Sequence, residues 1–325
     1  MTGRSALSAD FFHDEAAAYS KLESILWPHG PVCPRCGGLD RITKVKGGRM
    51  GLWRCGPCKR QFRVTVGTVF ESAHVPLNLW FQAMHLLMSS KKGFSSHQIH
   101  RVLGVTYKTA WFMSHRLREA MADHSDVFGP MGGEGKTLEI DETFIGYKEP
   151  GPTWEFHNER GWLKKRGYGD RRAVLTLVER GGRARSFHVD GVKASDLRPL
   201  IFVHADPRSA LMTDEANAYR NIGRRFASHE SVNHSAEEYV RKTEDGRKVS
   251  TNTVEGFFSI FKRGMKGIYQ HCSEKHLHRY LAEFDFRYSN RVALGVHDVE
   301  RTERAIRGIV GKRLTYRNPN SPIAG

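Results

Sequence analysis

The sequence contains no run of about 18 apolar residues, so no membrane-spanning helix is expected. It also lacks the basic-then-apolar start of a secretory signal; MTGRSALSADFFHDEAAAY has neither half in order. Acid is scarce relative to base: 35 Asp+Glu stand against 51 Lys+Arg, a formal charge of +16 with a pI near 9.8. A field of that sign favours polyanions, either nucleic acid or an anionic membrane surface. Cysteine is sparse, and four of the five lie between positions 33 and 58. These absences point to a cytoplasmic, nucleoid-associated protein with no membrane partner. A basic enzyme with no nucleic-acid role is the plain alternative. The 325 residues suffice for two or three domains and a sizeable core.

The cysteines form two knuckles, Cys33-Pro-Arg-Cys36 and Cys55-Gly-Pro-Cys58, with eighteen residues between them. Each knuckle is a tight turn that presents two thiolates to one ion, the arrangement of a tetrahedral structural Zn²⁺. Four cysteines leave no open position for catalysis. Disulfides are the competing reading, disfavoured in a reducing compartment. RITKVKGGRMGLWRC reads as a hairpin with Gly47-Gly48 near its tip, and QFRVTVGTVF as a further strand. The apolar spacing over 10–26 predicts a short helix leaning on this ribbon. Residues 1–75 thus form an N-terminal helix and zinc ribbon.

Residues 76–122 read as helical. Within them, Ser95 or Ser96 can cap one helix, Gly104 allows a turn and Thr106 can cap the next, which is helix-turn-helix-like grammar. Tyr107, Lys108 and Thr109 then sit at the start of a recognition helix, with Arg116 and Arg118 further along, positions suited to DNA contact. An ordinary helical hairpin with solvated cations is the alternative. A Gly-rich linker is expected over 123–136.

From 137 the pattern alternates. LEIDETFIG is a strand, AVLTLVERGGRARSFHV two strands joined at Gly181-Gly182, KASDLRPLIFVHA a helix, SALMTDE a strand and ANAYRNIGRRFA a helix. This order resembles an α/β ribonuclease-H-like domain, in which the strand bearing Asp141 is central and the strand ending at Asp214 lies beside it. Glu255 opens a helical pattern in which Ser259, Lys262 and Lys266 recur at +4, +7 and +11, on one face. Converging carboxylates repel unless cations lie between them, and a pair of divalent ions serving in-line displacement at phosphorus is the usual solution.

CPRCGG, LGVTYKTAWFMSHRLR, EIDETFIG, LMTDEANAY, VNHS, NTVEGFFSIFKRG and HLHRYLAEFDFRYSNR together span nearly the whole chain. They resemble the motifs of bacterial DDE transposases of the zinc-ribbon insertion-sequence group, relatives of the Merlin elements. The resemblance implies Asp141, Asp214 and Glu255 as the three acids that hold two Mg²⁺ or Mn²⁺ ions, and Lys262 as the basic residue seven positions later. Asn252 recurs in the same motif and competes for the third position; Glu255 is preferred because a carboxylate binds Mg²⁺ better than an amide. VNHS implies His234 near the site. Arg263 and Lys266 join the expected DNA contacts. The implied activity is binding of element ends, strand cleavage, and joining of the 3′-OH to target DNA. The partners are terminal inverted repeats and target duplex, with a homo-oligomer in the synaptic complex. A nuclease of the same fold without strand transfer and a non-catalytic DNA-binding regulator are the alternatives. Cys272 and the insert at 149–172 depart from the family pattern.

Neighbouring acids compete with the triad. Glu142 points to the opposite strand face, and Glu139 shares the Asp141 face but lies about 7 Å back along it. Glu215 is expected to cap the next helix, and Asp190 and Asp206 to be structural. The catalytic domain is read as 137–295 and the rest, 296–325, as a basic C-terminal tail.

Overall fold

The computed structural model describes residues 5–122, 129–148, 154–157, 161–164, 171–244 and 246–315. The chain forms two units, one of Met1–Ala122 with Val296–Gly325, the other of Asp123–Gly295. Part of the expected linker (123–128), much of the 149–172 insert and the last residues of the tail lie outside the described residues.

The first unit begins with α1, Glu15–Leu26, capped by Asp14, whose side chain accepts from Ala17 N at 2.7 Å. Its buried residues Ala18, Tyr19, Leu22 and Ile25 follow helical spacing. Strands β1 (Ile42–Lys44), β2 (Trp53–Cys55) and β3 (Gln61–Phe62) form a three-stranded antiparallel sheet in that order. The expected strand over QFRVTVGTVF stops after Phe62; turns follow, closed by bonds such as Val66 N to Arg63 O and Thr68 N to Thr65 O. Helices α2 (Leu77–Ser89), α3 (Ser96–Leu103) and α4 (Tyr107–Met121) complete the N-terminal part.

The stretch read as a basic tail is different. Its residues Asp298–Arg307 form a helix that belongs to the first unit and packs on α2. Arg301 is buried and donates to Met88 O at 2.6 Å and Val296 O at 3.1 Å. Arg307 donates to Ile25 O at 3.0 Å, satisfying a carbonyl at the end of α1. Charge count alone reads these arginines as solvated, because the carbonyls of Met88 and Ile25 that receive them lie in helices far along the chain.

The second unit holds a five-stranded sheet of β4 (Thr137–Tyr147), β7 (Arg171–Glu179), β8 (Ala184–Val189), β9 (Ala210–Thr213) and β10 (Ser228–Ser231). Strands β5 (Trp154–His157) and β6 (Gly161–Lys164) pair separately as a hairpin. The spatial order is β10-β9-β4-β7-β8, with β4, β7 and β8 antiparallel and β9 and β10 running parallel to β4. One face of the sheet buries Leu138, Ile140, Leu175, Leu177 and Leu211 against α5 (Ala194–His204) and α6 (Tyr219–Gly223). The other buries Ile145, Val174 and Val178 against α7 (Asn252–Gly264) and α8 (Leu277–Ser289). The period-two alternation of β4 and β7 divides their side chains between these two layers.

Two features depart from expectation. ANAYRNIGRRFA yields only the short α6, and SHES, with no apolar alternation, becomes strand β10 by pairing with β9. Among the described residues no helix is long and apolar enough to cross a membrane.

Candidate active site and zinc centre

The four knuckle cysteines bring their Sγ atoms within 4.8 Å of one another. Cys33 and Cys58 are 3.7 Å apart, Cys36 and Cys55 3.6 Å. A disulfide needs about 2.05 Å, whereas four thiolates at about 2.3 Å from one tetrahedral Zn²⁺ lie about 3.8 Å from each other. The quartet fits a structural zinc. Burial pushes the Cys33 thiol up, but hydrogen bonds from the backbone of Arg35 and Cys36 and from neighbouring thiols outweigh it and bring it to about 7. Trp27, Trp53 and Phe62 pack around the quartet, with Trp27 edge-on to both other rings.

The acids meet through strand register. β4 and β9 pair in parallel as Thr137 with Ala210, Leu138 with Leu211 and Glu139 with Met212. Carried two residues further, the same offset of 73 sets Asp141 beside Asp214, just past the end of β9. Helix α7 packs on β4 and β7, and Glu255 lies in its first turn. Asp141 is pushed up to about 8, first by burial, then by the charge of Glu142, with Asp214 and Glu255 adding to it; a bond from Glu142 N at 2.7 Å opposes the rise. Three acids from a central strand, a neighbouring strand end and a helix thus act on one carboxyl. Lys262, two turns along α7, is held below the usual lysine range by burial and by Lys266 and Arg171, while the negative charge of Asp141 opposes this. Among the described residues no trio of carboxylates is gathered as tightly as the cysteines.

The third acid is held by its own contacts. Glu255 Oε1 accepts from Thr251 Oγ1 at 2.9 Å and lies 3.4 Å from His234 Nε2. Asn252 is the exposed first residue of α7, three positions earlier. Glu215 does not cap the following helix; its carboxylate accepts from His234 N, Ser235 N and Ser235 Oγ and so pins the turn that carries His234. Those bonds, that of the Ser235 hydroxyl first, hold Glu215 down at about 2. Glu142 faces the α6 layer, bonded to the Tyr219 hydroxyl, and is pushed up to about 7 by burial with the charge of Asp214 adding. Asp206 is bonded to Arg208 at 2.6 Å.

In the first unit Ser95 and Gln98 form a reciprocal capping box on α3, Gly104 ends it at φ 66°, and Thr106 accepts from Thr109 N at 3.2 Å to cap α4. Tyr107 is exposed and stacked on His97 with centroids 4.3 Å apart; Lys108 is exposed. Arg116, expected to contact DNA, is instead buried and donates to Val69 O, Glu71 O and Leu314 O, each at 3.0 Å. Arg118 is likewise buried and donates to Ser114 Oγ at 3.2 Å. Beyond the first turn, α4 turns its arginines into the unit. Arg263, on α7, is exposed and donates to Ser259 O at 3.0 Å, and Lys266 is exposed on the π-helical turn Met265–Tyr269.

Comparison with known proteins finds a family match within each unit. The family model for the ISXO2-like transposase domain matches residues 132–289, and that for the transposase zinc-ribbon domain matches residues 13–61. The chain is also similar to an uncharacterized protein in transposable element ISH50 of Halobacterium salinarum, 28% identical over 285 residues that cover 85% of this chain and 91% of the relative. With a transposase zinc ribbon ahead of an ISXO2-like transposase domain, the chain belongs to the zinc-ribbon insertion-sequence transposases.

Proposed function

We propose that this transposase is a DDE enzyme that binds element ends, cleaves a strand and joins the freed 3′-OH to target DNA. The observation that carries the reading is the convergence of Asp214 and Glu255 on Asp141, with Lys262 close enough to feel the same carboxylate. The sheet order, with β4 central and β9 parallel beside it, supports a ribonuclease-H-like catalytic domain.

The donor set suits hard divalent cations. Carboxylate oxygens are the preferred ligands of Mg²⁺ and Mn²⁺, and Asp141 sits among like charges that a cation relieves. Asp141, Asp214 and Glu255 would hold the ions, with Asn252 the competitor at the third place. When bound, such ions activate water or a 3′-OH as nucleophile and stabilise the leaving oxygen. The residues around them bind and orient. Lys262 supplies a point charge to a phosphate beside Asp141, and the exposed Arg263 and Lys266 extend that cationic track along the helix. His234 and Thr251 keep the Glu255 carboxylate in one orientation.

Tyr107, Lys108 and Thr109, at the exposed start of α4, are the proposed helix-turn-helix contacts to duplex DNA. Arg116 is withdrawn from that role. Pairing two element ends calls for a homo-oligomer in the synaptic complex.

The test is a strand-transfer assay with pre-cleaved element ends, target DNA and Mg²⁺. Joined product that disappears in Asp214→Asn supports the reading. Cleavage that never yields joined product favours a nuclease instead, and binding without any cleavage favours a regulator.

A further inference from the structure

We propose that Glu139 is a positioning residue for the metal site: it docks the N-terminus of α7, and Glu255 with it, onto strand β4 two residues from Asp141. This rests on the active-site reading above.

The first N–H groups of any helix lack partners within it, and a side chain at the N-cap usually accepts from one of them. In α7 the N-cap is Thr251, and its side chain makes no such bond. Its hydroxyl donates to Glu255 Oε1 instead. The missing acceptor arrives from more than a hundred residues away. Glu139 Oε2 accepts from Thr253 N at 2.7 Å and Val254 N at 3.0 Å, and Oε1 accepts from Thr253 Oγ1 at 2.8 Å. Arg180 closes the arrangement: Nε donates to Glu139 Oε1 at 2.6 Å, Nη1 to Lys248 O at 2.6 Å, and Nη2 to Ser250 O at 2.9 Å and Ser250 Oγ at 3.2 Å. One guanidinium therefore fixes the carboxylate on β4 and the chain that enters α7.

Glu139 is completely buried. A carboxylate there is tolerable because a guanidinium and the positive end of a helix face it. Its two oxygens already accept four bonds, so it is not free to ligate an ion. Glu139 and Asp141 share a strand face, one side-chain repeat or about 7 Å apart. The distance between the first and third acids is thus set by direct bonds from one strand to one helix end. Such partners of a metal site orient its ligands, and losing one costs about 10- to 100-fold in metal affinity or activity.

The experiment is Mn²⁺ titration of the zinc-loaded full-length protein, read by electron paramagnetic resonance without DNA, with thermal unfolding followed in parallel. Glu139→Gln keeps one acceptor oxygen but sets an amide N–H₂ against donors, either the helix N–H groups or Arg180 Nε, and Mn²⁺ affinity is expected to fall about 10- to 100-fold in protein that still unfolds cooperatively and retains its zinc. Thr253→Val removes a single bond and leaves Glu139 in place, so a several-fold loss is expected. Wild-type affinity in both variants, with Asp141→Asn unable to bind Mn²⁺, overturns the positioning role and leaves the active-site reading standing. Loss of binding in Glu139→Gln as complete as in Asp141→Asn, with Thr253→Val unaffected, makes Glu139 a ligand and also overturns it. Unaltered binding in Asp141→Asn instead sinks the active-site reading itself. If Glu139→Gln does not fold, Thr253→Val decides: a several-fold loss supports the proposal and affinity within twofold of wild type refutes it.

Discussion

His234 Nε2 lies 3.4 Å from Glu255 Oε1, so a turn pinned by Glu215 reaches across to orient the acid at the start of α7. The two residues are twenty-one positions apart and sit on different elements. Replacing His234 with Ala frees the Glu255 carboxylate to rotate. Strand cleavage is expected to fall about 10- to 100-fold, with element-end binding unchanged in a gel-shift assay. Equal cleavage by variant and wild type removes His234 from the site.

Asp141 links stability to pH. Its carboxyl titrates near 8 in the ion-free protein, against about 3.9 in an unfolded chain. Between those values the folded state binds more protons than the unfolded state, so stability falls as pH rises from about 4 to about 8. Glu142, near 7, acts in the same direction. Calorimetry of zinc-loaded protein free of other divalent ions is expected to show the second unit melting lower at pH 8 than at pH 5. Mn²⁺ should raise that melting temperature more at pH 8, and Asp141→Asn should flatten the slope. A pH-independent melting temperature contradicts the charge crowding.

Arg116 and Lys108 separate structure from recognition on one helix. Arg116→Ala leaves three backbone carbonyls without their donor, one buried and two half-buried, and the first unit should lose about 2 to 3 kcal/mol of stability. Lys108→Ala touches an exposed side chain; it should leave stability nearly unchanged and weaken DNA binding while reducing its salt dependence. Urea unfolding and binding at several salt concentrations distinguish the two, and the reversed pattern would return Arg116 to the DNA surface.

Zinc should be present at one ion per chain. Cys55→Ser removes a fully buried ligand and is expected to abolish zinc retention and unfold the ribbon, because such modules draw their folding energy from the metal. Metal analysis with circular dichroism checks this; retained zinc would exclude the quartet as its ligands.

Much of this was legible in the residues because the signals are local. Two C-x-x-C knuckles announce their metal through spacing alone. Ser95, Gly104 and Thr106 mark helix ends through side-chain chemistry that acts within a few residues, and the structure uses all three at those ends. Asp141 and Asp214 stood out because each is an acid in or after an apolar run. What could not be read shares one property: dependence on a partner far along the chain. Strand β10 has no apolar pattern and exists through its pairing with β9. The helix Asp298–Arg307 looked like a charged tail until distant carbonyls received Arg301 and Arg307. Glu139 read as a spare acid near a triad, and it is the cap of a helix that begins more than a hundred residues later.

The sequence by itself determined the zinc ribbon and the capped helix pair and singled out the acids proposed for the site, since spacing, caps and residue chemistry are properties of short segments. Only the tertiary structure decided which charged groups face the site and which hold the fold. Arg116 and Glu139 are both ionisable and both lie near residues assigned to function, but their roles follow from the carbonyls and N–H groups that burial brings to them. A buried charge must find partners, and where those partners lie is settled by the folded chain.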